Sequence, residues 1–282
     1  MALFSLLIAI FAERMKFLPQ NWQIASLLSQ FQQRFIGSHS LSSPVFTVVA
    51  LTFPAASIAV LLWLAQGVLF GAVTLLLWVG ISVICLSHFH LRSTFKHFMQ
   101  AACRGDVQAC YHLSTELEGT CTKAVSESEL GTTVGQSVAW INYRNYGAVA
   151  IYLIALGPVG AVFYSTLRFY SETAQKESIK PPFVSQLCFL LDWLPSRLFA
   201  FGYLLSGHFS HGLSTWLPLI TKPATPARTI IVDTALASEV LPEKSTAPIC
   251  IQSTIALLTL AKRSFILFVT LVSLLTIFGW LN

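Results

Sequence analysis

One stretch of the sequence, between Arg34 and Arg92, contains no Asp, Glu, Lys or Arg. A charged side chain is costly to place in hydrocarbon, and a membrane-spanning helix needs roughly 20 apolar residues. The stretch is long enough for two such helices, which we place near 45–65 and 68–87. Gln66-Gly67 is then a tight turn between them, so the sequence predicts a helical hairpin with almost no loop on its far side.

The composition of the whole chain agrees with a membrane environment. Of the 282 residues, 55% are hydrophobic and 10% charged, whereas about 25% of an average soluble domain is charged. So few charges cannot cover a soluble surface of this size, which excludes disordered chains, disulfide-rich secreted domains and ordinary cytosolic enzymes. The net charge of +5 comes without a basic cluster, so it fits cytoplasmic loops of a membrane protein rather than nucleic-acid binding.

Two further uncharged stretches predict two more spans. The stretch from Arg144 to Arg168 predicts a span near 146–166, and Gly157-Pro158 favours a kink in it over a re-entrant loop. The last stretch predicts a span at 264–281, directly after Lys262-Arg263.

Two apolar segments leave alternatives open. Residues 1–12 are too short for a full span and lack the features of a signal peptide, so they fit a short or half-inserted helix. Residues 183–206 carry Asp192 and Arg197 and are either a span or a re-entrant helix. Basic residues put the N-terminus in the cytoplasm, and the C-terminus lies in the periplasm if 183–206 crosses.

The segments between the spans are predicted from helical periodicity. Apolar residues recur at helical spacing over 93–118, with Asp106 as a natural N-cap, which predicts a small cytoplasmic-side helical cap. Residues 119–135 and 221–248 have the composition of loops. We therefore expect a single, all-α, polytopic membrane domain over 1–282, with four to five transmembrane or re-entrant helices.

The charges inside segment 183–206 are the strongest candidates for a functional site. Asp192, Trp193 and Arg197 lie in the string Leu-Leu-Asp-Trp-Leu-Pro-Ser-Arg-Leu. Opposite charges among apolar residues are expensive unless they pair or face water. They indicate either a polar ligand-binding site at the membrane face or an internal ion pair that fixes a helix bend.

Five other residues are weaker candidates for ligand binding. Asn142 and Arg144 lie at the entry of the third span, where interfacial anchoring is the alternative explanation. Glu13 and Arg14 follow the first apolar run and would otherwise be an exposed helix end. His208 follows the Asp-Trp-Leu-Pro-Ser-Arg string closely enough to join its site.

Metal and cofactor chemistry has little support in the sequence. His88, His90 and His97 do not have a recognised ligand spacing, and the six cysteines form no Cys-x-x-Cys pair. The phosphate-binding, dinucleotide-binding and hydrolase motifs are absent. We expect reduced cysteines, no metal and no cofactor.

Several strings together resemble the AmpE family, bacterial inner-membrane proteins encoded beside the amidase AmpD. The matching strings are Glu13-Arg14, Leu18–Gln23, Trp140–Arg144, Leu191–Leu198 and Ser206–His208. The resemblance implies a regulatory protein in signalling for β-lactamase induction, linked to cell-wall recycling. The implied mechanism is binding of a cell-wall fragment or another small ligand or partner at a cytoplasmic-side polar pocket, in a chain whose span faces would permit a homo-oligomer.

A more distant similarity connects the chain to the CbiB/CobD membrane proteins of cobalamin synthesis. Trp193, Pro195, Arg197 and Leu198 match their Trp-x-Pro-x-Arg-Leu segment. Their Glu-Asn-x-x-Asp segment corresponds here to Ile141–Asn145, in which both acidic positions are replaced. This loss favours a binding or sensing protein over the first alternative, an ATP-using, amide-forming ligase. A small transporter is the second alternative.

Overall fold

The computed structural model describes residues 1–15, 18–36, 43–118, 127–177, 179, 181–239 and 251–280. The regular structure within these ranges is entirely helical, which confirms the all-α prediction. The α-helices are α1 Ala2–Met15, α2 Ile24–Phe31, α3 Pro44–Leu64, α4 Ala72–Leu86, α5 Phe89–Cys103, α6 Val107–Glu118, α7 Glu127–Asn142, α8 Ala148–Lys176, α9 Val184–Ser206, α10 Phe209–Thr221, α11 Ala227–Ser238 and α12 Ile251–Ile277.

Within the described ranges, five helical segments are long and apolar enough to cross a membrane, as predicted for a polytopic protein. They are Pro44–Leu64, Val68–Cys103, Glu129–Lys176, Val184–Ser206 and Gln252–Ile277. The contacts divide the chain into two compact units. The first unit comprises 1–89, 149–191 and 272–282, and the second comprises 90–148 and 192–271.

In the first unit, a short connection at 65–71 joins α3 to α4 and includes the predicted turn at Gln66-Gly67. Gly67 and Gly71 adopt positive φ angles of 80° and 86° there. Glycine takes such angles without the steric cost that a Cβ imposes. The Thr74 hydroxyl donates to the Ala65 carbonyl at 3.0 Å and ties the two helix ends together.

The kink predicted in the third span is present in α8. Gly157 has φ 70° and ψ −165° within the helix, directly before Pro158. The indole of Trp78 on α4 packs against this glycine, so that a Cβ there would lie 3.1 Å from the ring. The kink therefore also allows α4 and α8 to pack closely at this point.

A second proline is compensated in a different way. Pro195 has no N–H, so the carbonyl four residues earlier, that of Leu191, lacks its helical donor. The Tyr152 hydroxyl donates to this carbonyl at 2.7 Å. Helix α9 thus runs on through Pro195 without a break.

In the second unit, the predicted helices over 93–118 are α5 and α6. The Asp106 side chain accepts a hydrogen bond from the backbone N–H of Ala109 at 3.0 Å, which confirms it as the N-cap of α6. A buried cluster joins these helices to α7; its members are Phe98, Ala101, Ala102, Cys110, Leu117, Leu130, Val134 and Val138.

Two segments predicted as loops are partly helical. Residues 127–135 belong to α7, and 227–238 form α11. Residues 119–126 and 240–248 lie outside the described residues. Both helices bury small polar residues together with apolar ones at helical spacing, as Ile230, Thr234 and Ser238 do on α11. Their Ser, Thr and Ala content therefore reflects close packing rather than exposure.

The last predicted span, near 264–281, overlaps the second half of α12. Helix α12 starts at Ile251, and Lys262 and Arg263 lie exposed within it rather than before it. The early part of α12 is fixed to α7, since the Thr254 hydroxyl donates to the Gly131 carbonyl at 2.6 Å.

Replacement of Gly157 by Ala should destabilise the protein. Positive φ costs a non-glycine residue about 1–3 kcal/mol, and the new methyl group would press on Trp78. Gly80→Ala is the matched control, because Gly80 lies on α4 with no atom within 4 Å of its Cβ position. Thermal unfolding in detergent should show a lower midpoint for Gly157→Ala only; equal midpoints would contradict the kink geometry.

Cys110 should react with thiol reagents far more slowly than Cys103. Burial, together with the Asp106 carboxylate, raises the pKa of the Cys110 thiol from 9.0 to about 11, while Cys103 is exposed. Since the thiolate reacts, single-cysteine variants should differ strongly in maleimide labelling at pH 7. The shift also stabilises the fold below pH 9, and this contribution should fade between pH 9 and 11. Equal labelling in the native state would contradict the burial of Cys110.

Candidate functional site

Asp192 on α9 is buried and accepts a hydrogen bond from a tyrosine that lies between α7 and α8. Only 4% of its surface is exposed. The Tyr143 hydroxyl donates to Asp192 Oδ1 at 3.0 Å and lies 3.4 Å from its backbone carbonyl. A buried carboxylate is tolerated when donors meet it, so this bond is part of what allows a charge on an apolar helix.

The local backbone brings Tyr143 to α9. Residues Tyr143–Gly147 form a π-helical turn between α7 and α8. Such turns are rare and frequently lie at functional sites, since the extra residue redirects the neighbouring side chains. At its end Gly147 contacts Phe199 of α9 so closely that a Cβ would lie 2.5 Å from the ring. Tyr143 also packs its ring against Phe199, with centroids 5.7 Å apart.

Arg197 is buried one turn beyond Asp192 and makes no ion pair with it. It is 8% exposed. Its guanidinium lies over the Trp193 ring at 4.3 Å, Nη1 donates to the Trp193 carbonyl at 2.7 Å, and Nη2 donates to the Lys222 carbonyl at 3.2 Å. Its Nε is buried without a hydrogen-bond partner among the described atoms. The ion pair between Asp192 and Arg197, one of the two alternatives that the sequence leaves open, is therefore not formed.

The Lys222 carbonyl reaches Arg197 because α10 folds back along α9. Gly212 allows close approach to Leu204, and the rings of Phe201 and Trp216 are 5.3 Å apart further along. The next contact in this antiparallel series is that between Arg197 and Lys222. We call Tyr143, Asp192, Trp193, Arg197 and the Lys222 carbonyl the α9 site.

The other predicted site residues are distributed around the chain. Arg144 Nε donates to the side chain of Asn145 at 3.2 Å, and Asn142 is half-buried at the end of α7. The His208 side chain is exposed, and its backbone N–H donates to the Ser238 carbonyl at 2.7 Å at the end of α11. Glu13 and Arg14 belong to α1 in the first unit, half-buried and exposed respectively.

The groups of the α9 site are suited to hydrogen bonds and charge contacts with a polar molecule. The site combines a cation on an aromatic face, a buried carboxylate and a phenol, which can hold a ligand with acceptor and donor groups. Among the described residues no group of three His, Cys, Asp or Glu side chains is placed to hold a metal ion. Nothing in this arrangement indicates a paired-carboxylate or metal-assisted reaction.

Comparison with known proteins gives the same family that the sequence strings around these residues resemble. The model of the family described as "Regulatory signalling modulator protein AmpE" matches residues 1–282. The chain belongs to the AmpE family. Protein AmpE of Shigella flexneri is 29% identical, over 99% of this chain and 99% of its own length. No solved structure matches this chain.

Two components of the α9 site were not predicted from the sequence. Tyr143 lies between the two predicted candidates Asn142 and Arg144, and its aromatic character pointed to interfacial anchoring rather than to a carboxylate 49 positions away. The Lys222 contact uses a backbone carbonyl, which no side-chain pattern can reveal. The π-helical turn was the only structural signal available for Tyr143, and it is visible only in three dimensions.

The bond between Tyr143 and Asp192 should stabilise the fold measurably. A hydrogen bond to a charged group contributes about 1.5–3 kcal/mol, so Tyr143→Phe should lower the free energy of unfolding by about that amount. Asp192→Asn, combined with Tyr143→Phe in a double-mutant cycle measured by denaturant unfolding in detergent, isolates the pair. Additive effects of the two substitutions would contradict a direct interaction.

Proposed function

We propose that this chain is an inner-membrane regulatory protein that recognises a small ligand at the α9 site, on the cytoplasmic side. The ligand class that we propose is a cell-wall fragment, and the signalling output is β-lactamase induction. Membership of a family of regulatory signalling modulators supports the regulatory role. The observation that carries the binding role is the buried Arg197, whose described partners are two carbonyls and an indole.

The chemistry of a cell-wall fragment suits these groups. Its peptide carries carboxylates, for which a guanidinium is a strong and directional partner. Its amides and sugar hydroxyls can donate to the Asp192 carboxylate, and a sugar face can lie on the half-exposed Trp193. Arg144 and Asn142 would extend the polar surface beside Tyr143, which is adjacent to both in sequence.

The site also offers a way to transmit binding. Tyr143 belongs to a π-helical turn, and it bonds to Asp192 on a different helix. A ligand that competes for the Asp192 carboxylate would weaken this bond and change the balance between the π-helical turn and a regular helix. We propose that this exchange is the regulatory event, because it alters how α7 and α8 are joined.

Binding of a defined muropeptide to the full chain in nanodiscs tests the proposal. Isothermal titration calorimetry should show saturable binding, and Arg197→Ala should raise the dissociation constant about tenfold or more, equivalent to ~1.4 kcal/mol. Arg104→Ala is the matched control, because Arg104 is an exposed arginine at the end of α5. Absence of binding, or equal binding by both variants, would overturn the proposed ligand.

The regulatory output can be measured separately in cells. In a strain that lacks its own homologue and carries an inducible β-lactamase, wild-type chain and Arg104→Ala should give the same induction. Arg197→Ala should alter it at equal membrane abundance. An unchanged induction ratio for Arg197→Ala would contradict a signalling role for the α9 site.

The ligase alternative has no support from the residues at 141–145. Ile141 and Asn145 replace the two acidic positions of the CbiB/CobD segment, and the Asn145 amide accepts a hydrogen bond from Arg144. An amide cannot act as a general base or bind a metal ion as a carboxylate does. ATP turnover by the purified chain would revive this alternative.

A further inference from the structure

The segment that lies between Asp192 on α9 and Asp233 on α11 carries positive charge without an acidic residue. Between Asp192 and Asp233 the sequence contains Arg197, Lys222 and Arg228 but no Asp or Glu. The fold brings Arg197 and Lys222 together, since Arg197 Nη2 donates to the Lys222 carbonyl. The side chains of Lys222 and Arg228 are exposed at the two ends of the α10–α11 turn. The tip of this helical hairpin is therefore a local cationic surface.

Arg197, which is buried next to this surface, lacks a counter-charge within the described part of the chain. Arg197 keeps its charge under all physiological conditions. Its two hydrogen bonds go to neutral carbonyls, its Nε has no partner, and no described carboxylate lies within ion-pair distance. A buried charge is costly unless an opposite charge or a full set of acceptors meets it. An anion beside Arg197 would offset this cost.

The surface next to Arg197 is apolar and exposed. Leu194 and Leu198, which flank Arg197 on α9, are 56% and 54% exposed, and Trp193 beneath the guanidinium is 39% exposed. Exposed leucines on a helix long and apolar enough to cross a membrane are suited to contact with acyl chains. An anion that approaches here would meet a cation and a hydrocarbon-compatible surface together.

We infer that the α9 site binds the phosphate of an anionic membrane lipid, through Arg197 and the Lys222 side chain. Its acyl chains lie along Leu194 and Leu198. A phosphate offers several acceptors to the unused N–H groups of a guanidinium, and the exposed ammonium of Lys222 adds a second charge. Trp193 holds the guanidinium in place by stacking. The inference shares Arg197 with the proposed function but concerns the bilayer, so it does not depend on a cell-wall fragment.

Native mass spectrometry of the full chain with added phosphatidylglycerol or phosphatidylcholine tests this inference without any muropeptide. Wild type should retain phosphatidylglycerol in preference to phosphatidylcholine. Lys222→Gln keeps the backbone carbonyl that Arg197 needs and changes only an exposed side chain, so folding should be intact. Each basic residue near an anionic lipid contributes about 1 kcal/mol, so this variant should bind phosphatidylglycerol about fivefold more weakly.

Arg197→Gln should lose the preference for phosphatidylglycerol entirely, and Arg197→Lys should restore part of it, while the exposed control Arg104→Gln should behave as wild type. Circular dichroism and size-exclusion chromatography check that each variant is folded. Retention of phosphatidylglycerol by Lys222→Gln and Arg197→Gln equal to that of Arg104→Gln would overturn the inference.

A second arm distinguishes lipid phosphate from free phosphate. The second measurement uses nanodiscs made of phosphatidylcholine alone. Inorganic phosphate at millimolar concentration should not raise the unfolding temperature of wild type by more than it raises that of Arg197→Gln. A selective rise for wild type, without preference for phosphatidylglycerol, would assign the site to a soluble phosphate and overturn the lipid assignment. If wild type prefers phosphatidylglycerol but binds no muropeptide, the proposed function is contradicted and the lipid inference stands.

Discussion

The cost of placing a charge in hydrocarbon governs the arrangement of this protein. Helices α3 and α4 satisfy this constraint by exclusion, because the sequence from 35 to 91 has no Asp, Glu, Lys or Arg. Helix α9 satisfies it in another way. It keeps Asp192 and Arg197 but turns both inward, where a phenol, an indole and a backbone carbonyl receive them. The same constraint explains why large apolar side chains such as Val60 and Leu76 can remain exposed.

The α9 site depends on backbone features as much as on charged side chains. Gly147 lets the start of α8 approach Phe199, and the π-helical turn beside it presents Tyr143 to Asp192. Gly212 lets α10 lie close to α9, which brings the Lys222 carbonyl to Arg197. A methyl group at either glycine would overlap the facing side chain, Phe199 or Leu204, unless that side chain moves. The polar contacts are thus consequences of close helix packing, which in membranes relies on small residues.

Much of the fold could be predicted from the sequence, because charge and hydropathy control it directly. The short connection between α3 and α4, the kink at Gly157 and the N-cap at Asp106 follow from local chemistry and are confirmed. Helix α11 and the early part of α7 were missed, since buried Ser, Thr and Ala residues have a loop-like composition even when their spacing is helical. Lys262 and Arg263 mark no helix boundary, since exposed basic residues can lie within a helix and α12 begins at Ile251.

The candidate site was predictable only in part, and for a related reason. Asp192, Trp193 and Arg197 stand out as polar or aromatic residues around a proline in an apolar helix. Their partners do not, because a tyrosine near a membrane entry and a backbone carbonyl in a turn have common explanations. Of the two explanations that the sequence leaves open for these charges, the internal ion pair is not the one found, since Asp192 and Arg197 contact different partners. Long-range partners of this kind require a structure.

Spin-label accessibility in proteoliposomes tests most directly whether lipid surrounds the apolar helices. With the native cysteines replaced, a nitroxide at position 80 on α4 has open space around it, and one at position 70 lies on the turn between α3 and α4. The account predicts high collision rates with oxygen and low rates with a water-soluble nickel chelate at position 80, and the reverse at position 70. High nickel-chelate accessibility at both positions would show that water surrounds this helix and would contradict the account.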